Sequence, residues 1–309
     1  MSNSNKQYKF IDLFAGIGGF HLAFHHAGGS CVFASEKDPY ARQTYKENFK
    51  QISPKLFNDN ALNGVNYFND DITKVIVEDI PEHDILCAGF PCQPFSQAGF
   101  KRGFDEKHES RGNMFFHISE ILAVRRPKAF FLENVRHLLN HDDGRTFDVI
   151  KQILQDDLGY KIYYKVVKAS DYGLPQHRPR IFIVGFRSED SYEKDFEFPK
   201  PCRLKFNMSD VWKGNCSREI GYTLRVGGKG SGINDRRNWD AYLVDGEVKR
   251  LGVEEGKKMM GFPLNFQFPV NKTQAMKQLG NSVAVAAIEA VAIEIINYLK
   301  SNKSPNSNM

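Results

Sequence analysis

One cysteine of this chain lies on a loop stiffened by two prolines. The stretch GFPCQPFSQAG, residues 89–99, places Cys92 between Pro91 and Pro94, and the apolar run HDILCAG, residues 83–89, leads into it. A cysteine there could be a small apolar core residue. It could also be a thiolate nucleophile, because a stiff loop at the end of a buried strand holds the sulfur in one direction.

Charged residues lie at the predicted ends of further strands. Glu133 closes the apolar run KAFFLEN, while Arg178 and Arg180 belong to QHRPR, next to the run IFIVGF. Partial burial raises the pKa of a glutamate and so suits it to hold or donate a proton. The alternatives are a carboxylate that caps the next helix and a pair of solvated arginines.

A glycine-rich turn follows the first predicted strand. The segment DLFAGIGGF, residues 12–20, places three glycines before a helix, where the backbone can approach a ligand closely. Glu36 follows the start of the turn by about 20 residues, a spacing typical of a carboxylate that binds ribose hydroxyls. A tight connection without a ligand is the alternative. The pattern differs from the dinucleotide motif G-x-G-x-x-G, and no P-loop Lys–Ser/Thr pair follows.

These residues belong to a chain in which short apolar runs alternate with amphipathic stretches. Such alternation predicts α/β architecture, with a parallel sheet covered by helices on both faces. Asp38 is the predicted N-cap of the second helix, with Pro39 in its first turn. The predicted strands are Tyr8–Phe14, Ser30–Ser35, His83–Gly89, Lys128–Asn134 and Arg180–Phe186. After Phe186 the chain is irregular to about Leu251, and helical patterns then return.

Composition excludes several classes of protein. The 309 residues are 41% hydrophobic and 26% charged, which is ordinary for a globular protein, and the net charge of +5 permits a polyanionic partner. Five cysteines without C-x-x-C spacing disfavour a disulfide scaffold or a zinc ribbon. His21, His25 and His26 lack nearby ligand partners, so no metal is expected. No apolar run approaches the ~20 residues that span a bilayer, which predicts a cytoplasmic protein without a membrane partner.

Five motifs occur in one order along the chain: FIDLFAGIGGF, GFPCQPFSQAG, FLENV, QHRPR and QLGNSV. Together they resemble the ordered motif set of the cytosine-5 DNA methyltransferases of bacterial restriction–modification systems. The resemblance implies a Rossmann-like S-adenosylmethionine methyltransferase sheet with a small irregular target-recognition domain. It also implies a catalytic and cofactor-binding domain (1–186), a target-recognition domain (187–251), a C-terminal return to the catalytic domain (252–300) and a flexible tail (301–309).

The resemblance implies catalytic roles for four residues. Cys92 would add covalently to cytosine carbon 6, which turns the ring into an enamine able to take a methyl group at carbon 5. Glu133 would hydrogen-bond or protonate ring nitrogen 3. Arg178 would contact the flipped base or its phosphate, and Arg180 would hold the catalytic loop.

The same resemblance implies that S-adenosylmethionine is the cofactor. The family usually has an apolar or aromatic residue against the adenine after Glu36, whereas this chain has Lys37. A second departure is the stretch 51–68, which is longer than the usual connection. The implied cofactor-binding residues are Asp12, Phe14, Gly16, Ile17, Gly18, Gly19, Glu36, Lys37, Asp71, Ile72, Gly89, Pro91, Asn281, Ser282 and Val283.

Double-stranded DNA is the implied partner, and a cognate restriction endonuclease would be a functional partner without a stable complex. A monomer is expected, because each strand of a short duplex must be modified separately. The loop 95–111 is expected to close over the DNA, and the glycine- and arginine-rich stretch 223–240 to enter the major groove. The predicted DNA-binding residues are Gln93, Ser96, Arg111, Arg225, Lys229, Arg236 and Arg237.

Three other functions have distinct sequence signatures. A transfer-RNA cytosine-5 methyltransferase would carry a Cys-Phe-Thr signature, and this chain has none. A catalytically silent DNA-binding paralogue would have no need of Cys92, Glu133 and both arginines of QHRPR. A methyltransferase acting on an exocyclic nitrogen would show a D/N-P-P-Y/F motif in place of Pro91–Cys92.

Overall fold

The computed structural model describes residues 7–58, 67–91, 114–190, 192–227 and 230–301. Within them, seven strands form one sheet and two more form a separate hairpin. The strands are β1 (Lys9–Leu13), β2 (Ser30–Ser35), β3 (Phe68–Asn69), β4 (Ile85–Gly89), β5 (Ala129–Val135), β6 (Tyr160–Lys168), β7 (Pro179–Arg187), β8 (Ala241–Val244) and β9 (Glu247–Arg250).

Helices connect most of these strands. The predicted cap of the second helix is confirmed, because Asp38 Oδ1 accepts hydrogen bonds from the backbone N–H groups of Tyr40 (2.9 Å) and Ala41 (3.2 Å). The α-helices of the described residues are α1 (Gly19–His26), α2 (Pro39–Phe49), α3 (Met114–Arg125), α4 (Arg145–Gln152), α5 (Met208–Trp212), α6 (Val253–Met260), α7 (Lys272–Asn281) and α8 (Val285–Ser301).

The large sheet has the order β3-β2-β1-β4-β5-β7-β6, and it is mixed rather than parallel. β1 to β5 pair in parallel, whereas β7 is antiparallel to both of its neighbours. The prediction of a wholly parallel sheet is therefore wrong at this end. The connection from β6 to β7 contains only the short 3-10 turn Ala169–Asp171, which leaves no room for a crossover helix.

Hydrophobic clusters cover both faces of the sheet, as the alternation of strands and helices predicted. One cluster includes Phe20 and Phe24 of α1 with Ile288 and Val291 of α8. The other includes residues of α3 and α4, such as Ile118 and Ile150. Since α8 comes from the end of the described chain and packs on α1, the two ends of the chain share one core.

His21 of α1 packs against α2. His21 is fully buried: its Nδ1 lies 2.6 Å from the Tyr45 hydroxyl, its Nε2 lies 3.1 Å from Ser53 Oγ, and its ring stacks on Phe49. Burial lowers the pKa of His21 to about 3, so the ring is neutral at physiological pH. This histidine therefore belongs to the packing between α1 and α2.

The stretch after β7 contains α5 and the β8–β9 hairpin. Its buried residues Met208, Trp239 and Tyr242 belong to the same hydrophobic cluster as α1 and α8.

In the described part of the chain, no single helix is long and apolar enough to cross a membrane; only α7 and α8 taken together, across a 41° bend, reach that length and composition.

Candidate active site

The directions of the strands bring Glu133, Arg180 and the end of β4 to one edge of the sheet. β1, β4 and β5 end at this edge, and β7, which runs the opposite way, begins there. In the strand register Gly89 lies beside Glu133, and Val135 lies beside Arg180. The glycine-rich turn after β1 and the loop after β4 start from the same edge. Because β7 runs antiparallel to β5, its first residues lie at this edge, and Arg180 is placed next to Glu133.

Glu133 is buried and paired. Its side chain is 10% exposed, and its Oε1 lies 3.0 Å from Nε of Arg180. Burial raises the pKa of the Glu133 carboxyl, although the charges of Arg180 and Arg178 act in the opposite direction. The desolvation effect is the larger one, so this glutamate keeps its proton to a higher pH than an exposed glutamate does.

Asn134 fixes the start of the loop that contains Cys92. Its Nδ2 donates to the carbonyl of Phe90 (3.0 Å), and its Oδ1 accepts from the N–H of Val135 (2.8 Å). Asn134 is 2% exposed. The resemblance implied only that Asn134 shapes the turn after Glu133, and its bond to the loop of Cys92 was not predicted; the signal was a polar side chain directly after Glu133 at the end of an apolar strand.

Arg178 binds backbone carbonyls from two distant segments. NH1 donates to Leu224 O (3.1 Å), and NH2 donates to Gly280 O (3.0 Å) and Ser282 O (2.6 Å). The residue is 3% exposed, and burial lowers its pKa to about 9, so it remains charged at pH 7. Contact of Arg178 with a flipped base or its phosphate would require the side chain to leave this position. That contact stays a prediction.

The glycine-rich turn leaves space at one position and is closely packed at others. A Cβ at Gly16 would meet no atom within 4 Å, whereas one at Gly18 would lie 2.2 Å from the ring of Phe49. Phe14 has a φ of 54°, which is unusual for a bulky side chain and is typical of residues strained at functional sites. The turn is therefore open to a ligand at Gly16.

Glu36 ties the second strand to this turn. Its Oε2 accepts from the N–H of Gly16 and its Oε1 from the N–H of Asp38, both at 2.7 Å. A carboxylate has about four lone-pair sites, so about two remain for a ligand. Burial raises the pKa of Glu36.

Lys37 points towards a carboxylate at the predicted adenine position. Its Nζ lies 3.4 Å from Asp71 Oδ2, and the side chain is 82% exposed. Asp71 Oδ1 accepts from the hydroxyl of Thr73 (2.7 Å), a bond that lowers the pKa of Asp71 more than the charge of Lys37 does. Ile72 is buried. Lys37 and Asp71 also line a cavity of about 530 Å³ between α2 and Phe68.

The residues predicted near the C-terminus reach the same place. A Cβ at Gly19 would lie 2.5 Å from Val283 and 3.2 Å from Ser282, and one at Gly89 would lie 3.8 Å from Val283. Ser282 and Val283 thus contact the glycine-rich turn, and Val283 also approaches the start of the Cys92 loop. Asn281, the last residue of α7, is exposed.

Other predicted cofactor residues differ in their access. Asp12 lies in β1 just before the turn and is 0% exposed, and burial raises the pKa of its carboxyl well above the ordinary value. Ile17 is 1% exposed, whereas Pro91 is exposed. No group of three or more His, Cys, Asp or Glu residues suited to a metal occurs in the described ranges.

The predicted DNA-binding residues divide into two groups. Arg225, Arg236 and Arg237 are exposed on the stretch between β7 and β8. Arg237 pairs with Asp235, whose Oδ2 lies 2.8 Å from NH2 of the arginine. The other predicted DNA-binding residues lie outside the described residues: Gln93, Ser96, Arg111 and Lys229. The predicted nucleophile, Cys92, also lies outside them.

Comparison with known proteins decides the family. The family described as C-5 cytosine-specific DNA methylase matches residues 8–225 and 216–297 of the chain. The chain belongs to this family. The methylase is 42% identical to the type II methyltransferase M.NlaX of Neisseria lactamica, over 92% of this chain and 95% of that protein. It is 38% identical to the type II methyltransferase M.SsoII of Shigella sonnei, over 97% of this chain and 83% of the relative.

A solved structure shares the fold of the methylase. A putative DNA modification methyltransferase encoded within an E. coli prophage superposes with a TM-score of 0.71 and 20% identity, over 95% of this chain and 100% of that one. The predicted Rossmann-like methyltransferase fold is confirmed. The predicted enzyme class, a DNA cytosine-5 methyltransferase of the restriction–modification type, is also confirmed.

Proposed function

We propose that this methylase transfers a methyl group from S-adenosylmethionine to carbon 5 of a cytosine flipped out of a short duplex DNA target, through an adduct between Cys92 and cytosine carbon 6. The observation that carries the proposal is the position of Glu133. This buried carboxyl is paired with Arg180 and lies beside Gly89, three residues before Cys92. A proton donor and the loop of the nucleophile therefore share one edge of the sheet.

The chain's own residues supply the acid and the nucleophile. The Cys92 thiolate forms a bond to carbon 6, the electron pair of the 5,6 double bond becomes a 4,5 double bond, and the pair of the 3,4 double bond moves to nitrogen 3, which takes a proton or a hydrogen bond from Glu133. The enamine formed in this way is nucleophilic at carbon 5. After methylation, loss of the carbon 5 proton to water with expulsion of the Cys92 thiolate, and return of the nitrogen 3 proton to Glu133, restore the aromatic ring.

S-adenosylmethionine fits the residues around the glycine-rich turn, and when bound it would supply an electrophilic methyl sulfonium. The space at Gly16 permits close approach to the backbone, and Glu36 retains acceptor capacity for ribose hydroxyls. Ser282 and Val283 would contact the methionine part, with Asn281 at the rim. Asp12, buried in β1 next to the turn, would act on the cofactor only through the backbone that follows it, whereas Lys37 and Asp71 would border the adenine.

The DNA would lie across this edge of the sheet. Carbon 6 of a stacked cytosine is inaccessible, so the base must leave the duplex at a cost of a few kcal/mol. Gln93, Ser96 and Arg111 are proposed to hold the DNA from the closing loop, and Arg178, which binds backbone carbonyls in this structure, is proposed to contact the flipped base or its phosphate. We further propose that residues 187–251 form the target-recognition domain, that the enzyme acts as a monomer in the cytoplasm, and that it protects DNA from a cognate endonuclease.

Nucleoside mass spectrometry tests this function directly. Mixed-sequence duplex DNA, or in parallel transfer RNA, is incubated with S-adenosylmethionine and with the unaltered protein, Cys92→Ala or Glu133→Gln. We expect 5-methylcytosine from the unaltered protein, none from Cys92→Ala, and a rate lowered by about 10²-fold from Glu133→Gln. Methylation of transfer RNA alone, or undiminished methylation by Cys92→Ala, would contradict the proposal.

A trapping experiment separates the adduct from methyl transfer. On target DNA containing 5-fluorocytosine, carbon 5 has no proton to lose after methylation, so the bond to Cys92 cannot break. We expect a protein–DNA complex that persists on a denaturing gel with the unaltered protein and is absent with Cys92→Ala. Glu133→Gln serves as the folded control, and it should form the same complex more slowly.

A further inference from the structure

The recognition loop, defined here as residues 230–240, is fastened at its base by buried side chains. Asn238 Nδ2 donates to the carbonyl of Ile233 (3.2 Å), and Trp239 Nε1 donates to the carbonyl of Gly227 (3.0 Å). Asn238 and Trp239 are only 6% and 2% exposed. The base of the loop is therefore fixed before any partner binds.

An ion pair between a buried carboxylate and an exposed arginine completes this base. Asp240 is 0% exposed, and its Oδ2 lies 2.9 Å from NH1 of Arg250 on β9. Arg250 NH2 also donates to the carbonyl of Ser231 (3.0 Å). The outer surface of the loop is open, since a Cβ at Gly230 or Gly232 would meet no atom within 4 Å. A fixed base with an open surface is what a rigid contact with a groove requires.

Arg237 is held on this surface by Asp235. The Asp235 carboxylate accepts from the backbone N–H of Arg237 (2.8 Å), from its Nε (3.1 Å) and from its NH2 (2.8 Å). These bonds lower the pKa of Asp235 to about 2, so the carboxylate is charged at neutral pH. The arginine itself is 75% exposed.

The donors that remain on Arg237 match guanine. A guanidinium has five N–H donors in a planar fork, and Asp235 uses one edge of it, formed by Nε and NH2. The opposite edge of the guanidinium, formed by NH1 and NH2, keeps one free N–H on each nitrogen. These two donors fit the O6 and N7 acceptors of guanine in the major groove. The carboxylate reduces the entropy lost on binding because the arginine is already oriented.

We propose that Arg237 reads one guanine of the DNA target and that Asp235 is its positioning residue. The inference rests on the proposed function and deepens it by naming one base of the substrate. Arg225 and Arg236 are exposed and, among the described residues, have no ion-pair or hydrogen-bond partner. Without a carboxylate that fixes their direction, they contact phosphates.

Sites of methylation in a library of randomised duplexes, mapped by bisulfite sequencing, test the assignment. The unaltered protein is expected to require guanine at one position besides the target cytosine. Asp235→Ala and Arg237→Ala should each lower the preference for guanine at that same position, by about tenfold or more. Both residues are on the surface, so the thermal unfolding midpoint should not change.

Arg236→Ala is the matched control. It should leave the base preferences unchanged and reduce the slope of log affinity against log salt concentration by about 0.9, as expected for one lost phosphate contact. An unchanged target in Asp235→Ala, or loss of the guanine preference in Arg236→Ala instead, would overturn the inference alone. Absence of 5-methylcytosine with the unaltered protein would overturn the proposed function together with it.

Discussion

At the scale of single residues, the environment of Glu133 combines two opposing effects. Burial raises the pKa of its carboxyl, while the guanidinium of Arg180 at 3.0 Å and the charge of Arg178 favour ionisation. The raised pKa suits the role that we propose for Glu133, because the carboxyl keeps a proton for cytosine nitrogen 3 to a higher pH than an exposed glutamate would. Arg180 therefore lowers the pKa of the Glu133 carboxyl, in addition to the contact with the catalytic loop that we propose for it.

Neutralising Arg180 should change the pH dependence of the reaction. Because the arginine lowers the pKa of Glu133, Arg180→Gln raises that pKa further, and the protonated carboxyl persists to higher pH. We expect the alkaline limb of the kcat profile to move to higher pH while the maximal rate falls. Steady-state methylation of target DNA across the pH range provides the measurement.

Arg187→Gln is the control for that profile. Arg187 lies at the other end of the same strand, where it pairs with Asp190. Its replacement should leave the alkaline limb in place. An alkaline limb that does not move in Arg180→Gln would show that Glu133 does not set it.

At the scale of elements, two glycines of the turn between β1 and α1 lie in different surroundings. Gly16 and Gly18 both adopt positive φ, 56° and 85°. Only Gly16 borders open space, whereas Gly18 lies against the ring of Phe49, which also stacks on His21. The turn thus combines a place for a ligand with close packing of α1 on α2.

Alanine at these two positions should separate binding from stability. Gly16→Ala should cost about 1 kcal/mol of unfolding free energy from backbone strain, and it should weaken cofactor binding because its methyl group enters the open space. Gly18→Ala should lose about 1–3 kcal/mol more, because its Cβ overlaps Phe49. Urea unfolding and calorimetric titration with S-adenosylmethionine measure the two effects. Equal stability of the two variants would contradict this division.

At the scale of the whole molecule, Arg178 connects the stretch after β7 to the turn between α7 and α8. One guanidinium binds the carbonyl of Leu224, which precedes the exposed Arg225, and the carbonyls of Gly280 and Ser282. A Cβ at Gly280 would lie 2.7 Å from the backbone of Arg225, so the two segments are in direct contact. The segment of Arg178 and the segments around Leu224 and Gly280, which are far apart in the sequence, are therefore held together by one buried guanidinium.

Arg178→Met should loosen both segments together. It leaves three carbonyls without their donor, so we expect a loss of about 3 kcal/mol or more in unfolding free energy. Hydrogen–deuterium exchange should rise in residues 223–226 and 280–283 in parallel. Arg203→Met, at an exposed position, should stay within about 0.5 kcal/mol of the unaltered protein. Faster exchange in only one segment would refute the shared anchor.

Much of the fold and the order of the site residues could be predicted from the sequence by itself. Strands β1, β2, β4, β5 and β7 were found because their apolar runs are short and end at turn residues, and the cap at Asp38 was found because capping is a local interaction. The motif around Cys92 and the position of Glu133 at a strand end were likewise visible, since both are features of contiguous sequence.

The tertiary structure decided what depends on residues far apart in the chain. The reversed direction of β7, the pairing of Glu133 with Arg180, the carbonyl partners of Arg178 and the pairing of Lys37 with Asp71 all arise from strand order and side-chain packing. β6 was not predicted, because Tyr and Lys residues interrupt its apolar residues, and the strand lies partly exposed at the edge of the sheet. Local propensity specifies the elements, whereas long-range contacts determine which side chains meet.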